Sequence, residues 1–491
     1  MYTFGAEPKA DTILHGMYWI QKDLVADPDL QMLTIVPKVS GLAPSSAAKP
    51  FSVMSPHPKN KDWIGIPRFL GLSMFGLAAT DKRTEGRPIS PSWNEAICLR
   101  PEQEMGIQRT MRTLEKWGGA FWIADCGFGK TKCISRLIYT IGRKTCVVVP
   151  QTILIHQMCA EFGVGDGSRQ SSLSHAKVGI LQGSWEKMSE DKKLAVTEAD
   201  IIVASLDSLS LFKYPTELWQ SVGLVVFDEA HHMAARTLCR VLTRIPARHI
   251  VGFSATPHRS DGLSYLLYWI LGPVSYVFQR LPAVTGLRHT VAVRPITTPY
   301  VVEEKLMWNG KPALAQILNE LAESETRNKF IFSFVCELLT QRKKILLITA
   351  FRSHAETLYE SVLGLEPRTV LLHGGLKAKQ KKPTLGAKVL VATYGVLQEG
   401  FDDAELDTLL MCTPRSTVQQ VVGRIERSLE GKLIPLVIDF IDQYSIFEGM
   451  WWKRNSFYQS RGFRIEGETR KRKAGIDQAQ IVFSDVEDEM S

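Results

Sequence analysis

The stretch Phe121-Trp122-Ile123-Ala124-Asp125-Cys126-Gly127-Phe128-Gly129-Lys130-Thr131 limits what this chain can become more than any other. Phe121–Ala124 is a continuous apolar run and reads as a buried strand. Two glycines come next, and Lys130-Thr131 then opens a helical pattern. In it Ile134, Leu137, Ile138 and Ile141 recur at helical spacing until Gly142 ends the helix. Strand, Gly-bearing loop and helix, in that order, form the setting of a phosphate-binding loop. Gly127 and Gly129 let the backbone curl so that its N–H groups point at phosphate oxygens, and the helix adds its positive end. The expected nucleotide cradle is Cys126, Gly127, Phe128, Gly129, Lys130 and Thr131. Lys130 would reach the outer phosphates and the Thr131 hydroxyl would face Mg²⁺. Ala124 stands where the general pattern has its first Gly, a position that need not bend sharply. Taken alone, the stretch also reads as an ordinary strand-to-helix turn.

Around the loop the chain alternates. Val147–Val149, Lys177–Leu181, Ile201–Ala204, Leu224–Phe227 and His249–Phe253 read as strands separated by helical patterns, so an α/β fold with a parallel sheet is expected. Ligands bind such sheets at the carboxyl ends of the strands, where most of the polar clusters fall. Asp228-Glu229-Ala230-His231 comes directly after one apolar run. Asp228 at a strand tip beside a phosphate loop can hold Mg²⁺, and Glu229 can orient and deprotonate an attacking water. Ser254-Ala255-Thr256-Pro257 is a small hydroxyl turn at the next tip, common in itself. Upstream, Gln103 can donate to and accept from an adenine edge at once, although alone it is more simply a solvated helix-start residue.

A second alternating block begins after the Pro-containing connection Leu281–Pro299. Ile345–Thr349, Thr369–Leu372, Val389–Thr393, Thr408–Met411 and Leu436–Phe440 read as strands. Near its end Gln420, Gly423, Arg424 and Arg427 would share one helix face. Two guanidiniums there could stabilise charge on a transferring phosphoryl group, and the same face also reads as a solvated basic surface.

Composition narrows the setting. The net charge of +8 favours a polyanionic partner over an acidic one. The eight cysteines form no CxxC pair and several lie in apolar runs. That argues for buried thiols in an intracellular, reducing compartment, not for a disulfide framework or a zinc site. Met1–Gly16 lacks the pattern of a signal peptide, and no apolar run is long enough to cross a bilayer.

The phosphate loop, Asp228-Glu229-Ala230-His231, Ser254-Ala255-Thr256 and Gln420 through Arg427, in this order on two α/β lobes, resemble a superfamily 2 helicase of the DExH type. Further positions match. Pro150 to Gln157 resembles motif Ia, Ser205 to Ser208 resembles motif Ib, and Thr393 to Gly395 with Glu399 to Asp402 resembles motif V. The likeness runs from about Leu99 to Phe440. Pro67-Arg68-Phe69, Arg259 to Leu263 and His373-Gly374-Gly375 bring it closer to the DNA helicases of large cytoplasmic DNA viruses, including the poxvirus transcript-release type.

The resemblance implies two tandem RecA-like parallel-sheet lobes with an N-terminal accessory domain and a short C-terminal extension. Expected boundaries are 1–95 for the accessory domain, 96–280 for lobe one, 281–305 for a linker, 306–445 for lobe two and 446–491 for the C-terminal helix and tail. It implies an ATP-driven, Mg²⁺-dependent motor in viral transcription or replication. Gln103, Lys130, Thr131, Asp228 and Glu229 would serve the nucleotide from lobe one. Gln420, Arg424 and Arg427 would act from lobe two, with Gly400 and Asp402 near the ribose and phosphates. Pro150, Gln151, Ser205, Ser208, Arg352 and Thr393 would grip a nucleic-acid backbone without reading sequence. DNA is favoured over RNA. An RNA helicase of the same architecture, or a nucleic-acid-binding scaffold that has lost catalysis, are the other readings.

The C-terminal region interleaves Trp451, Trp452, Phe457, Tyr458 and Phe463 with Lys453, Arg454, Arg461 and Arg464. Such residues can stack bases, but a terminal helix packing its aromatics on lobe two is the simpler reading. Arg470–Lys473 and Asp485–Glu489 read as solvated tail.

Overall fold

The computed structural model describes residues 9–36, 50–57, 59–125, 127–150, 152–164, 171–230, 235–255, 263–278, 291–301, 303, 305–306, 313–376, 386–398, 403–426, 429 and 431–467. The chain forms two compact units, 1–279 and 280–491, and each is described by itself.

The first unit opens with a five-stranded sheet. Its strands are Lys9–Leu14 (β1), Tyr18–Gln21 (β2), Ser55–Pro56 (β3), Trp63–Ile66 (β4) and, after the helix Arg68–Phe75 (α1), Ala78–Asp81 (β5), in the order β3-β4-β2-β1-β5. This sheet is docked tightly on the α/β layer that comes next in the chain. Arg68 is fully buried and donates to the carbonyls of His15 (2.7 Å), Ala247 (3.0 Å) and Arg248 (3.3 Å). A Cβ on Gly119 would lie 1.9 Å from the Phe69 ring, so the α1 aromatic packs directly on that layer. The stretch Pro67-Arg68-Phe69 thus fastens the N-terminal sheet, and the apolar core runs continuously from β1 and β2 into the α/β layer.

That layer begins with Pro101–Trp117 (α2). Next come Gly119–Ala124 (β6), Lys130–Ile141 (α3), Thr145–Val149 (β7), Thr152–Glu161 (α4), Val178–Leu181 (β8) and Ile201–Ser205 (β9). Leu206–Leu211 (α5), Leu224–Phe227 (β10), His249–Ser254 (β11), Ser264–Leu271 (α6) and Val274–Phe278 (β12) complete it. The seven strands run in the order β8-β9-β7-β10-β11-β6-β12, and every neighbouring pair is parallel. The central strands are buried throughout, as strands covered on both faces must be. All the carboxyl ends therefore face one edge.

The second unit repeats the plan. Ala292–Val301 (β13), Glu325–Gln341 (α7), Ile345–Thr349 (β14), Arg352–Leu363 (α8), Thr369–Leu372 (β15), Val389–Thr393 (β16) and Thr408–Met411 (β17) come first. Gln419–Ile425 (α9), Leu436–Gln443 (β18), Ser445–Ser460 (α10) and Arg464–Ile465 (β19) complete it. The order is β15-β16-β14-β17-β18-β13-β19, again all parallel.

Residues 292–301, expected within the 281–305 linker, are instead a strand of this sheet. Ala292 to Thr297 pairs residue for residue with Leu436 to Ile441 of β18. The prolines at 295 and 299 hid the strand, since Pro cannot donate to a ladder and argues against an interior strand. The C-terminal aromatics belong to the core. Trp451 and Tyr458 are buried, and Phe463 lies 6.1 Å from Tyr458 and 5.9 Å from Phe457, ring to ring.

The described cysteines are all free. Cys133, Cys146, Cys159, Cys239 and Cys412 are buried, whereas Cys98 and Cys336 are exposed. No described helix is long and apolar enough to cross a membrane.

Candidate nucleotide site and nucleic-acid contacts

The site of the first unit is built at the carboxyl edge of its sheet. β6 ends at Ala124, and Gly127 and Gly129 then take φ of 74° and 84°, backbone that side-chain-bearing residues seldom adopt. Gly129 is the N-cap of α3, so Lys130 and Thr131 begin that helix at the end where its free N–H groups gather.

The loop is held from two sides. Phe128 is buried, its ring centroid 4.4 Å from that of Phe278 in β12 and edge-on to Trp122 at 6.1 Å. Its carbonyl accepts two donors, Gln103 Nε2 at 2.8 Å and Arg100 Nη2. The Arg100 guanidinium also lies over the Phe128 ring, 5.3 Å from its centroid. Gln103 is buried, and its Oε1 accepts the backbone N–H of Arg100 at 2.8 Å. Its amide therefore caps α2 and ties that helix to the loop. Arg100 and Phe128 have structural parts here that spacing did not disclose; their signal was an Arg three residues before the Gln and an aromatic between two glycines.

Two strands away, β10 ends at Phe227. Asp228 is buried, its N–H donating to the Val148 carbonyl at 3.0 Å. Glu229 comes next at φ 47°, an uncommon conformation for a residue with a side chain. Its N–H donates to Asp228 Oδ1 at 3.0 Å, and the turn aims its carboxylate at the phosphate loop. Glu229 Oε1 meets Lys130 Nζ at 3.0 Å, and Lys130 lies 3.5 Å from the carbonyl of Ala124. Burial pushes the Asp228 carboxyl up to about 7; the Glu229 charge pushes the same way, and Lys130 opposes both. Gln103, the loop residues Phe128, Gly129 and Lys130, and the pair Asp228 and Glu229, from three separate stretches of sequence, thus meet at one edge.

The residues expected on nucleic acid are arranged differently. Ser205 and Ser208 are buried, with their hydroxyls 2.7 Å apart. Ser205 Oγ accepts the N–H of Ser208 at 3.3 Å, capping α5, and Ser208 Oγ accepts the N–H of Gly183 at 2.9 Å. Their side chains are thus engaged in shaping the strand tip. Pro150 comes directly after β7.

In the second unit Arg352 is exposed at the start of α8, its guanidinium beside the Gly374-Gly375 turn; a Cβ on Gly375 would lie 3.2 Å from its Nη1. Thr393 ends β16 and is buried. Gln420 and Arg424 lie one turn apart on α9 and are half-buried. Cys126, Gln151, His231, Gly400, Asp402 and Arg427 lie outside the described residues, as do Thr256, Pro257, Arg470–Lys473 and Asp485–Glu489.

Two buried ion pairs in this unit were invisible in the sequence. Arg327 and Asp442, 115 residues apart, are joined through Nε–Oδ1 at 2.7 Å and Nη2–Oδ2 at 2.9 Å. Arg454 meets Asp439 through Nε–Oδ2 at 2.8 Å and Nη2–Oδ1 at 2.7 Å.

The family described as "Type III restriction enzyme, res subunit" matches residues 96–259, which hold Gln103, the phosphate loop, Asp228 and Glu229. Over 467 residues the chain is 26% identical to a protein of Acanthamoeba polyphaga mimivirus named "Putative ATP-dependent RNA helicase", covering 91% of this chain and 85% of that one. A protein of African swine fever virus with the same name is 24% identical over 417 residues, 80% of this chain and 78% of its own. A protein of Escherichia phage T5 named "Probable helicase" is 25% identical over 436 residues, 87% and 89% of the two chains. The chain is thus related to superfamily 2 helicases, those of large DNA viruses among them, enzymes that hydrolyse ATP with nucleic acid.

Proposed function

We propose that the protein couples ATP hydrolysis at the Lys130–Glu229 edge to movement along, or unwinding of, DNA in viral transcription or replication. The observation that carries this is the 3.0 Å approach of Lys130 to Glu229 beside a buried Asp228, at the mouth of a left-handed glycine loop. In this reading Lys130 and the N–H groups of residues 127–131 bind the outer phosphates. Glu229 takes a proton from the attacking water. Gln103 and Arg100 hold the loop in shape through the Phe128 carbonyl. Arg424 and Arg427 are proposed to support turnover with positive charge, with Gln420 beside Arg424 on the same helix face.

The donor set suits a hard divalent cation. The Asp228 carboxylate and Thr131 hydroxyl are oxygen ligands, and the charge that burial and Glu229 make costly on Asp228 is what a cation relieves. Thr131 and Asp228 would hold Mg²⁺, which supplies charge neutralisation for the transferred phosphoryl group.

RNA is the second reading for the substrate, favoured by the names of the mimivirus and African swine fever virus relatives. The test is ATP hydrolysis by the purified protein with no nucleic acid, single-stranded DNA, duplex DNA and RNA, beside Lys130→Ala. Stimulation by DNA alone supports the first reading, and stimulation by RNA alone replaces it with the second. Hydrolysis undiminished in Lys130→Ala overturns the site assignment.

A further inference from the structure

At the open end of the first unit's sheet, edge strand β8, the loop after it, the start of the helix Glu190–Glu198 and one side of α4 enclose a cavity of about 930 Å³. Its apolar lining includes Ile180, Met188 and Phe212, and its basic lining is His156, Lys187 and Lys192. Among the described residues, none of those lining it carries a carboxylate. Lys187, Lys192 and the His156 ring have no ion pair or side-chain hydrogen bond among the described residues. Their neighbours behave otherwise: Lys193 is paired with Glu190 at 2.7 Å and Lys177 with Glu198 at 3.4 Å.

A smaller basic cleft in the second unit, of about 390 Å³, makes the contrast clear. There Lys344 is bound to Asp403 at 2.7 Å, Arg368 to Glu366 at 3.0 Å, and Lys343 to the Gly431 carbonyl at 2.6 Å. Lys343, Lys344 and Arg368 are thus already engaged there, whereas the lysines of the larger cavity are available to an anion.

The rim of the large cavity is fastened to the Ser205–Ser208 strand tip, which the proposed motor places on nucleic acid. Gly183, in its lining, donates to Ser208 Oγ at 2.9 Å, and its carbonyl accepts the Tyr214 hydroxyl at 2.6 Å. An apolar floor with unpaired cations and no carboxylate matches an unstacked nucleotide, its base on Ile180, Met188 and Phe212 and its phosphates on the lysines. We infer that this cavity seats one nucleotide of a bound single strand, extending the nucleic-acid track from the Ser205–Ser208 tip to the sheet edge. The inference rests on the reading of the protein as a nucleic-acid motor.

The test compares Lys187→Ala/Lys192→Ala with the parent protein on fluorescent single-stranded DNA and RNA oligonucleotides over a salt series. Affinity should fall by about tenfold at low salt, and the slope of log affinity against log salt should shrink by about 1.4, two phosphate contacts on a single strand. Hydrolysis of ATP without nucleic acid should not change. Lys187→Arg/Lys192→Arg should bind as the parent does. Met188→Glu, which keeps both lysines but puts a carboxylate in the floor, should weaken binding as well. Lys177→Ala/Lys193→Ala removes two paired charges nearby and should leave binding intact. Parental affinity in the first variant, or an equal loss in the Lys177/Lys193 control, overturns the inference while leaving the motor reading standing. A parent protein that binds no oligonucleotide at any salt overturns both.

Discussion

Lys130 Nζ and Glu229 Oε1 stand 3.0 Å apart, so the cation expected on the phosphates and the carboxylate expected on the water are bound to each other. A phosphate at the loop must compete with Glu229 for that ammonium. Glu229→Gln removes the competing charge along with the proton acceptor. Turnover should fall by about 10²–10⁴-fold, the usual range for losing a positioned base, while nucleotide affinity holds or rises. Single-turnover hydrolysis with a parallel fluorescent-nucleotide titration checks both halves. Unchanged turnover would remove Glu229 from its role.

Gly129 carries a second prediction. It sits at φ 84°, and a Cβ there would lie 2.7 Å from Gln103 Nε2. Gly129→Ala therefore meets both backbone strain of about 1–3 kcal/mol and a clash with the side chain that holds the loop. Nucleotide affinity should drop at least tenfold. Gln103→Ala in the same chain clears the clash but not the strain, so recovery should be partial. Full recovery would mean that the left-handed turn is not required for binding.

The Arg454–Asp439 pair supplies a third. Both side chains are fully buried, and Tyr458 Oη donates to Asp439 Oδ2 at 2.9 Å. Arg454→Met leaves a buried carboxylate without its cation, which should cost the second unit about 3–5 kcal/mol. Arg454→Met/Asp439→Leu should recover much of that loss, because two apolar residues leave no charge stranded. Denaturant unfolding monitored by tryptophan fluorescence measures both, and a double variant no better than the single would refute the argument.

What could be read in advance was set by what period and spacing encode. The expected strands from Phe121–Ala124 to Leu436–Phe440 lie on observed ones, because strands buried on both faces are continuous apolar runs. Asp228 and Glu229 were legible because a strand tip places them beside the loop whatever the intervening chain does. β13 was not legible, since its prolines argue locally against a strand and only pairing with β18 overrides them. The two Arg–Asp pairs were not legible either, because an isolated Arg or Asp carries no sign of burial until a partner from distant sequence neutralises it. Ser205 and Ser208 lie at a strand tip with their hydroxyls turned inward, a choice set by helix capping that residue type alone does not decide.

The last prediction concerns acid. His354 is buried between Thr349 and Asn328, with Nδ1 2.7 Å from Thr349 Oγ1 and Nε2 2.9 Å from Asn328 Oδ1. A neutral ring protonated at Nε2 satisfies both, the threonine donating to Nδ1. Burial, helped by the Arg327 charge, lowers its pKa to about 3. Burial likewise lowers His15 to about 4, with Arg68 and Lys82 adding to it, and His249 to about 4, with Arg248 and other arginines adding to it. In the unfolded chain each titrates near its ordinary 6.5. Below that pH the unfolded chain takes up protons that the folded one refuses, so stability present above pH 6.5 is lost as pH falls toward the folded values. At pH 5 a histidine kept wholly neutral costs about 2 kcal/mol. Carboxylates held low by partners, such as Glu366 under the hydrogen bonds of Arg368, respond at lower pH, whereas Asp228, which burial pushes up to about 7, takes up a proton within this window and offsets part of the loss in the first unit. Denaturant midpoints should therefore fall between pH 7.5 and pH 5 for the second unit, which holds His354, and less steeply for the first, where Asp228 opposes His15 and His249. His354→Gln should lower the second unit's midpoint at pH 7.5, because two hydrogen bonds are disturbed, yet flatten its decline toward pH 5. An equally steep decline in that variant would show that His354 is not the group that refuses the proton.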